Sequence, residues 1–102
     1  MEFKSVKVIK KANVYFGGKV DSRTIIFEDG SRKTLGFMQK GEYEFNTGAP
    51  ELMEVIGGEM LIKRAEDKDF ISIKEGESFS VEKDSSFKVK VNEYADYCCS
   101  YK

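Results

Sequence analysis

Histidine and tryptophan are absent from this 102-residue chain, proline occurs once, and there are only two cysteines. Each scarcity removes a class of function. Without an imidazole there is no ready general base, no partner to activate a thiol and no nitrogen ligand for a metal, so a cysteine nucleophile is a poor candidate. A metal centre would have to be built from carboxylates and thiols alone, and neither a metal nor another cofactor is expected. The cysteines, Cys98 and Cys99, are adjacent, and in a strand neighbours point to opposite faces, which disfavours a bond between them. Two free thiols suit a reducing, cytoplasmic location. No apolar run approaches the roughly 20 residues that cross a bilayer, and the N-terminus has no apolar signal-peptide core, so no membrane partner is expected. Charge of one sign is lacking too: 17 basic against 18 acidic residues leave a formal charge of −1. That balance argues against nucleic acid as a partner, which takes a basic face to displace counterions.

What is present is strand after strand. Strands are expected at 6–9, 19–27, 32–39, 41–45, 51–56, 59–63, 70–73, 78–81, 87–91 and 94–101. Alternation is clearest in Phe87-Lys88-Val89-Lys90-Val91. Turn signals punctuate the runs at Gly17-Gly18, Asp29-Gly30, Asn46-Thr47-Gly48, Gly57-Gly58, Glu75-Gly76 and Asp84-Ser85-Ser86. Asp29-Gly30 predicts a hairpin with a type I′ turn. No stretch keeps a 3.6-residue apolar period. Short, regularly spaced strands with Gly-rich turns predict an all-β sandwich or barrel in one domain. The hydrophobic share of 40% leaves little surplus area in so short a chain, so pairing of subunits through a sheet edge is expected.

The central block, Gly41-Glu42-Tyr43-Glu44-Phe45-Asn46-Thr47-Gly48-Ala49-Pro50-Glu51-Leu52-Met53-Glu54-Val55-Ile56-Gly57-Gly58, reads as two strands and a turn. It resembles the middle of a cupin barrel, except that Thr47 and Ala49 stand where metal-binding cupins carry histidines. More narrowly, it resembles the small pyrimidine/purine nucleoside phosphorylases, whose run reads Gly-Glu-Tyr-x-Phe-x-Thr-x-x-Pro-Glu-x-Met-x-Val-x-x-Gly. Asn13, Tyr15, Phe16, Gly18, Lys19 and Val20 are similar to that family's opening, Arg32, Gly36 and Met38 to its arginine-bearing strand, and Gly76, Phe79 and Val81 to a later one. Tyr97, Cys99 and Tyr101 match its closing strand. The likeness begins near Asn13. It implies a cupin-like, jelly-roll β-barrel over 13–102, preceded by an extension or extra edge strand over 1–12. Two departures stand out. Glu82-Lys83-Asp84 replaces the family's usual Pro-Gly-His, and Ser100 stands where members can carry arginine.

The resemblance implies phosphorolysis: inorganic phosphate attacks C1′ of a purine or pyrimidine nucleoside and yields free base and ribose 1-phosphate. The partners implied are nucleosides and phosphate, and the assembly a homodimer. Such chemistry rests on positioning and electrostatics and requires neither metal nor histidine. Arg32 is the candidate for phosphate, because a guanidinium fork matches phosphate oxygens; a solvent-facing hairpin arginine is the plainer reading. Thr34, two residues on, shares its face and offers a hydroxyl, or is simply a β-branched strand residue. Tyr43 and Thr47 fall on one face with Phe45, as a stacking wall or as core. Glu51 is matched to the family and would contact ribose or base, or lie at the surface beside Pro50. Tyr97 is placed in the pocket lining. For protonating the departing base, water, Tyr97 and a carboxylate all fit. The alternative to an enzyme is a non-catalytic cupin-like protein that binds a nucleoside or sugar.

Overall fold

In the computed structural model, which describes residues 2–101, the regular structure is strand apart from one 3₁₀ turn. The strands are β1 (Lys7–Val8), β2 (Asn13–Tyr15), β3 (Val20–Ile26), β4 (Arg32–Asn46), β5 (Glu51–Arg64), β6 (Ile71–Lys74), β7 (Ser78–Val81) and β8 (Ser86–Tyr101). The 3₁₀ turn, Phe16–Gly18, follows β2. The fold is all-β, as the alternation predicts. Three pairs of expected strands are instead three long ones, β4, β5 and β8, each carrying its irregularity inside the strand.

The physical reason is visible at each irregularity. In β4 the register with β8 shifts between Gln39 and Gly41. A bulge frees backbone carbonyls, and the Tyr43 hydroxyl donates to Gln39 O at 2.6 Å, so the strand bends without breaking. In β5, Gly57-Gly58 is such a bend and not the expected turn. Gly58 sits at φ 76°, and a Cβ there would lie 2.2 Å from the Tyr94 carbonyl oxygen. Only glycine lets β5 approach β8 that closely. The Asp29-Gly30 hairpin forms, but with a different turn. Gly30 N–H donates to Phe27 O at 3.0 Å and Phe27 N–H to Ser31 O at 2.9 Å. Gly30 has φ 86° while Asp29 is not in the left-handed region, which makes a type I turn closed by a glycine bulge. Asp29 instead accepts from Ser31 N and Oγ, at 2.9 and 2.6 Å.

All pairings are antiparallel, in the order β1-β3-β4-β8-β5-β6, with β2 also along β3 and β7 also along β5. The hydrogen-bonded sheet is open, its path running from β1 to β6. Because β4, β5 and β8 bend, the sheet has two halves. In one, β3 and the start of β4 join the end of β8, the start of β5 and β7; in the other, the end of β4 joins the start of β8, the end of β5 and β6. One apolar cluster takes residues from both, Met38, Val55 and Tyr97 from the first and Met60, Ile62 and Val89 from the second. Each such side chain, fully buried, contributes about 1.5–3 kcal/mol of transfer free energy.

Candidate functional site

The inner face of the first half is laid out by register. Opposite Cys99 on β8 stand Thr34 on β4 and Met53 on β5; opposite Tyr97 stand Gly36 and Val55; Tyr101 faces Glu51. Alternation therefore brings Thr34, Glu51, Tyr97, Cys99 and Tyr101 to one side. They border a cavity of about 140 Å³, shared with Tyr15, Phe45 and Asn46.

Gly36 is what lets Tyr97 reach its place. A Cβ at Gly36 would lie 2.6 Å from the Tyr97 ring and 2.2 Å from the Asp21 carbonyl oxygen. Through that gap the Tyr97 hydroxyl crosses β4 and donates to Asp21 O at 3.1 Å. Burial, with the Cys99 and Tyr101 groups nearby, raises the Tyr97 pKa far above the ordinary phenol range, so the ring stays neutral. Next to it, Thr34 Oγ1 and the Tyr101 hydroxyl lie 3.3 Å apart. The exposed Arg32 guanidinium sits at the rim, 4.5 Å from the Tyr101 ring centroid, a cation–π distance. Burial pushes the Tyr101 phenol up to about 12.

Glu51 is half-buried at the other side of Tyr101. Cys99 Sγ donates to Glu51 Oε1 at 3.4 Å. Burial pushes the Cys99 thiol up to about 12, with the adjacent Glu51 carboxylate adding to the effect, so Cys99 is a neutral donor. Burial also raises the Glu51 pKa, and the bond from Cys99 only partly opposes it. Among the described residues no lysine or arginine forms an ion pair with Glu51; the ion pairs found join Arg64 to Glu66 and Asp67. No group of three or more carboxylates and thiols comes together as a metal cage among those residues either.

The structure thus brings together four of the six residues singled out in the sequence: Thr34, Glu51 and Tyr97 in the lining, and Arg32 at the rim. Tyr43 and Thr47 lie outside the cavity lining. The Tyr43 hydroxyl is taken up by the bulge at Gln39, and its ring packs on Phe16 with centroids 5.0 Å apart. Thr47 Oγ1 donates to Glu82 O at 2.6 Å and accepts from Ser85 N at 3.0 Å, holding the turn that replaces Pro-Gly-His. Tyr101 and Cys99 had a legible signal, the alternation with Tyr97. Tyr15 was marked only by its match to the family's opening motif; alternation gave no sign of it, because it reaches the cavity only when β2 lies along the edge of β3.

The arrangement offers a cation and two hydroxyls on one side, a protonatable carboxyl on the other, and aromatic rings between. The sequence profile of the pyrimidine/purine nucleoside phosphorylase family matches residues 10–101. The chain belongs to that family. A pyrimidine/purine nucleoside phosphorylase from Citrifermentans bemidjiense is 57% identical over 100 residues, covering 98% of this chain and 97% of its own. A crystal structure of a protein of unknown function from Acinetobacter sp. ADP1 matches with TM-score 0.96 at 43% identity, over 99% of this chain and 98% of that one. An RmlC-like cupin from Shewanella frigidimarina is similar at TM-score 0.71 and 16% identity, over 98% and 86% of the two chains, a likeness of fold. The donors of Arg32, Thr34 and Tyr101 suit an anion, and the carboxyl of Glu51 suits a sugar hydroxyl or base nitrogen.

Proposed function

We propose that the protein is a nucleoside phosphorylase of broad specificity, a metal-independent pentosyl glycosyltransferase that cleaves purine and pyrimidine nucleosides with phosphate. The observation that carries this reading is 57% identity over nearly the whole chain to a protein of that name. Arg32 and Thr34 bind phosphate, helped by the Tyr101 hydroxyl. Glu51 and Tyr97 contact ribose and base, while Tyr43 and Thr47 support the site through the bulge and the turn they hold. Phosphate then meets C1′ of a sugar with cation-like character, which its own negative charge stabilises. The bent sheet serves as a cupin-like jelly-roll barrel over 13–102, its interior being the cavity, and residues 1–12 act as an added edge.

The cavity of about 140 Å³ is below the roughly 300 Å³ of an ordinary small-molecule pocket. A nucleoside would enter with its sugar, leaving the base across Tyr15 and Phe45, whose π-faces accept any base. The enzyme works as a cytoplasmic homodimer. What supports pairing is an apolar strip on the outer face of the sheet, Leu35, Phe37 and Tyr94, 37%, 43% and 43% exposed. A second reading, a non-catalytic binder of a nucleoside or sugar, is favoured by Glu82-Lys83-Asp84 in place of Pro-Gly-His and by Ser100 in place of arginine. Purified protein incubated with mixed nucleosides, with and without phosphate, separates the two. Free base and ribose 1-phosphate arising only with phosphate support the enzyme; saturable binding without turnover supports the binder.

A further inference from the structure

Displacement at C1′ sets a geometric demand. Phosphate approaches one face of the sugar carbon as the base departs from the other, so the anion site and the acid that meets the base must lie on opposite sides of C1′. The row at the cavity rim has that form. Tyr101 on β8 has Glu51 as its partner on β5, and on its β4 side it carries the Arg32 guanidinium 4.5 Å from its ring. Neighbouring strands are roughly 4.8 Å apart, so Arg32 and Glu51 start about 10 Å from each other across Tyr101. That is room for a sugar between a bound phosphate and a base.

We propose that Glu51 is the general acid of the reaction, donating its carboxyl proton to N7 of a departing purine. The assignment rests on the phosphorylase reading. Three further observations favour Glu51 over its neighbours. No cation pairs with it among the described residues. Cys99 Sγ, itself a neutral thiol, donates to one carboxyl oxygen, Oε1, and among the described residues Oε2 has no hydrogen-bond partner and can carry the proton. Of the phenols in the lining, Tyr97 already spends its proton on Asp21 O, and Tyr101 lies within hydrogen-bond distance of Thr34 Oγ1 on the phosphate side. Burial favours the protonated carboxyl, which suits an acid that must hold its proton until the base departs. In the step the C1′–N9 bond breaks and its electron pair stays on N9, while the Glu51 proton passes to N7. A hydrogenphosphate oxygen bonds to C1′, and the proton that hydrogenphosphate gives up restores Glu51.

The test compares guanosine with 7-methylguanosine, whose methylated N7 already carries positive charge, so its base departs without being protonated. Phosphate-dependent kcat/KM is measured for the wild type and for Glu51→Gln with both. We expect a loss of about 10²–10⁴-fold on guanosine, and a loss at least tenfold smaller on 7-methylguanosine. Equal losses on the two substrates, or less than a threefold loss on guanosine, overturn the assignment while leaving the phosphorylase standing. A wild type that cleaves neither nucleoside with phosphate overturns both. Should Glu51→Gln not fold, Glu51→Asp carries the comparison, again with the larger loss expected on guanosine.

Discussion

The two halves of the bent sheet are built from the same three long strands and do opposite work. In the half made by the start of β4 and the end of β8, inward positions carry Thr34, Tyr97, Cys99 and Tyr101, each with a polar atom close to the cavity. In the half made by the end of β4 and the start of β8, inward positions carry Phe87, Val89 and Val91, facing Met60 and Ile62. The one phenol on that side, Tyr43, gives its proton to the bulge. One half holds a polar site and the other supplies the apolar wall that makes it rigid. What divides them are backbone irregularities, at Gln39–Gly41 in β4 and on either side of Gly57-Gly58 in β5.

Removing the divider breaks the comparison most severely. Gly58→Ala forces a Cβ onto the Tyr94 carbonyl at a left-handed φ, and we expect a loss of about 3 kcal/mol or more, seen as a lowered urea midpoint. Next comes the apolar wall: Ile62→Ala, at a fully buried position, should lower stability by about 2–5 kcal/mol. Phosphate affinity of the remaining folded fraction should be unchanged. The polar half should behave in reverse. Thr34→Val removes the hydroxyl beside Tyr101, which is expected to lower stability by about 1 kcal/mol. It should raise the KM for phosphate about tenfold; equal effects on stability in both halves would erase the distinction drawn between them.

A smaller effect concerns pH. Burial raises the folded-state pKa of Glu51 above its ordinary 4.5, so the folded state prefers the neutral carboxyl. The stability this confers is complete below pH ~4 and is lost as pH rises through the folded pKa. Glu51→Gln, neutral throughout, should therefore match the wild type at pH 4 and exceed it at pH 8 in thermal unfolding. The smallest expected change is in thiol labelling. Cys98 lines an outer-face pocket together with Glu2 and Phe3, and Cys99 lines the cavity, both buried and free. Deleting residues 1–6 should speed alkylation of Cys98 by a few-fold and leave Cys99 as slow as before, as peptide mapping can check.

Strand content and most strand positions were legible because alternation is a local property, read two residues at a time. The expected strands at 78–81 and 87–91 lie where β7 and the start of β8 are found. Gly57-Gly58 misled because a glycine pair serves a turn and a bulge equally well, and only the partner strand decides between them. Tyr43 and Tyr97 show the same limit in the site. Both are tyrosines on inward strand positions, yet one braces a bulge and the other crosses the gap over Gly36 toward Asp21.

The order of apolar and polar residues by itself determined that the chain forms an all-β fold of alternating strands. The motifs from Asn13 to Tyr101 determined the family, and the lack of histidine limited the chemistry available to it. Tertiary structure alone decided that Arg32, Tyr101 and Glu51 form one row, since they lie on three different strands and meet only through register. It also decided which hydroxyls remain free for a ligand, because that depends on which backbone carbonyls the bulges leave exposed. Period-2 patterning tells which side a residue faces; what it meets there is set by strands far away in the chain.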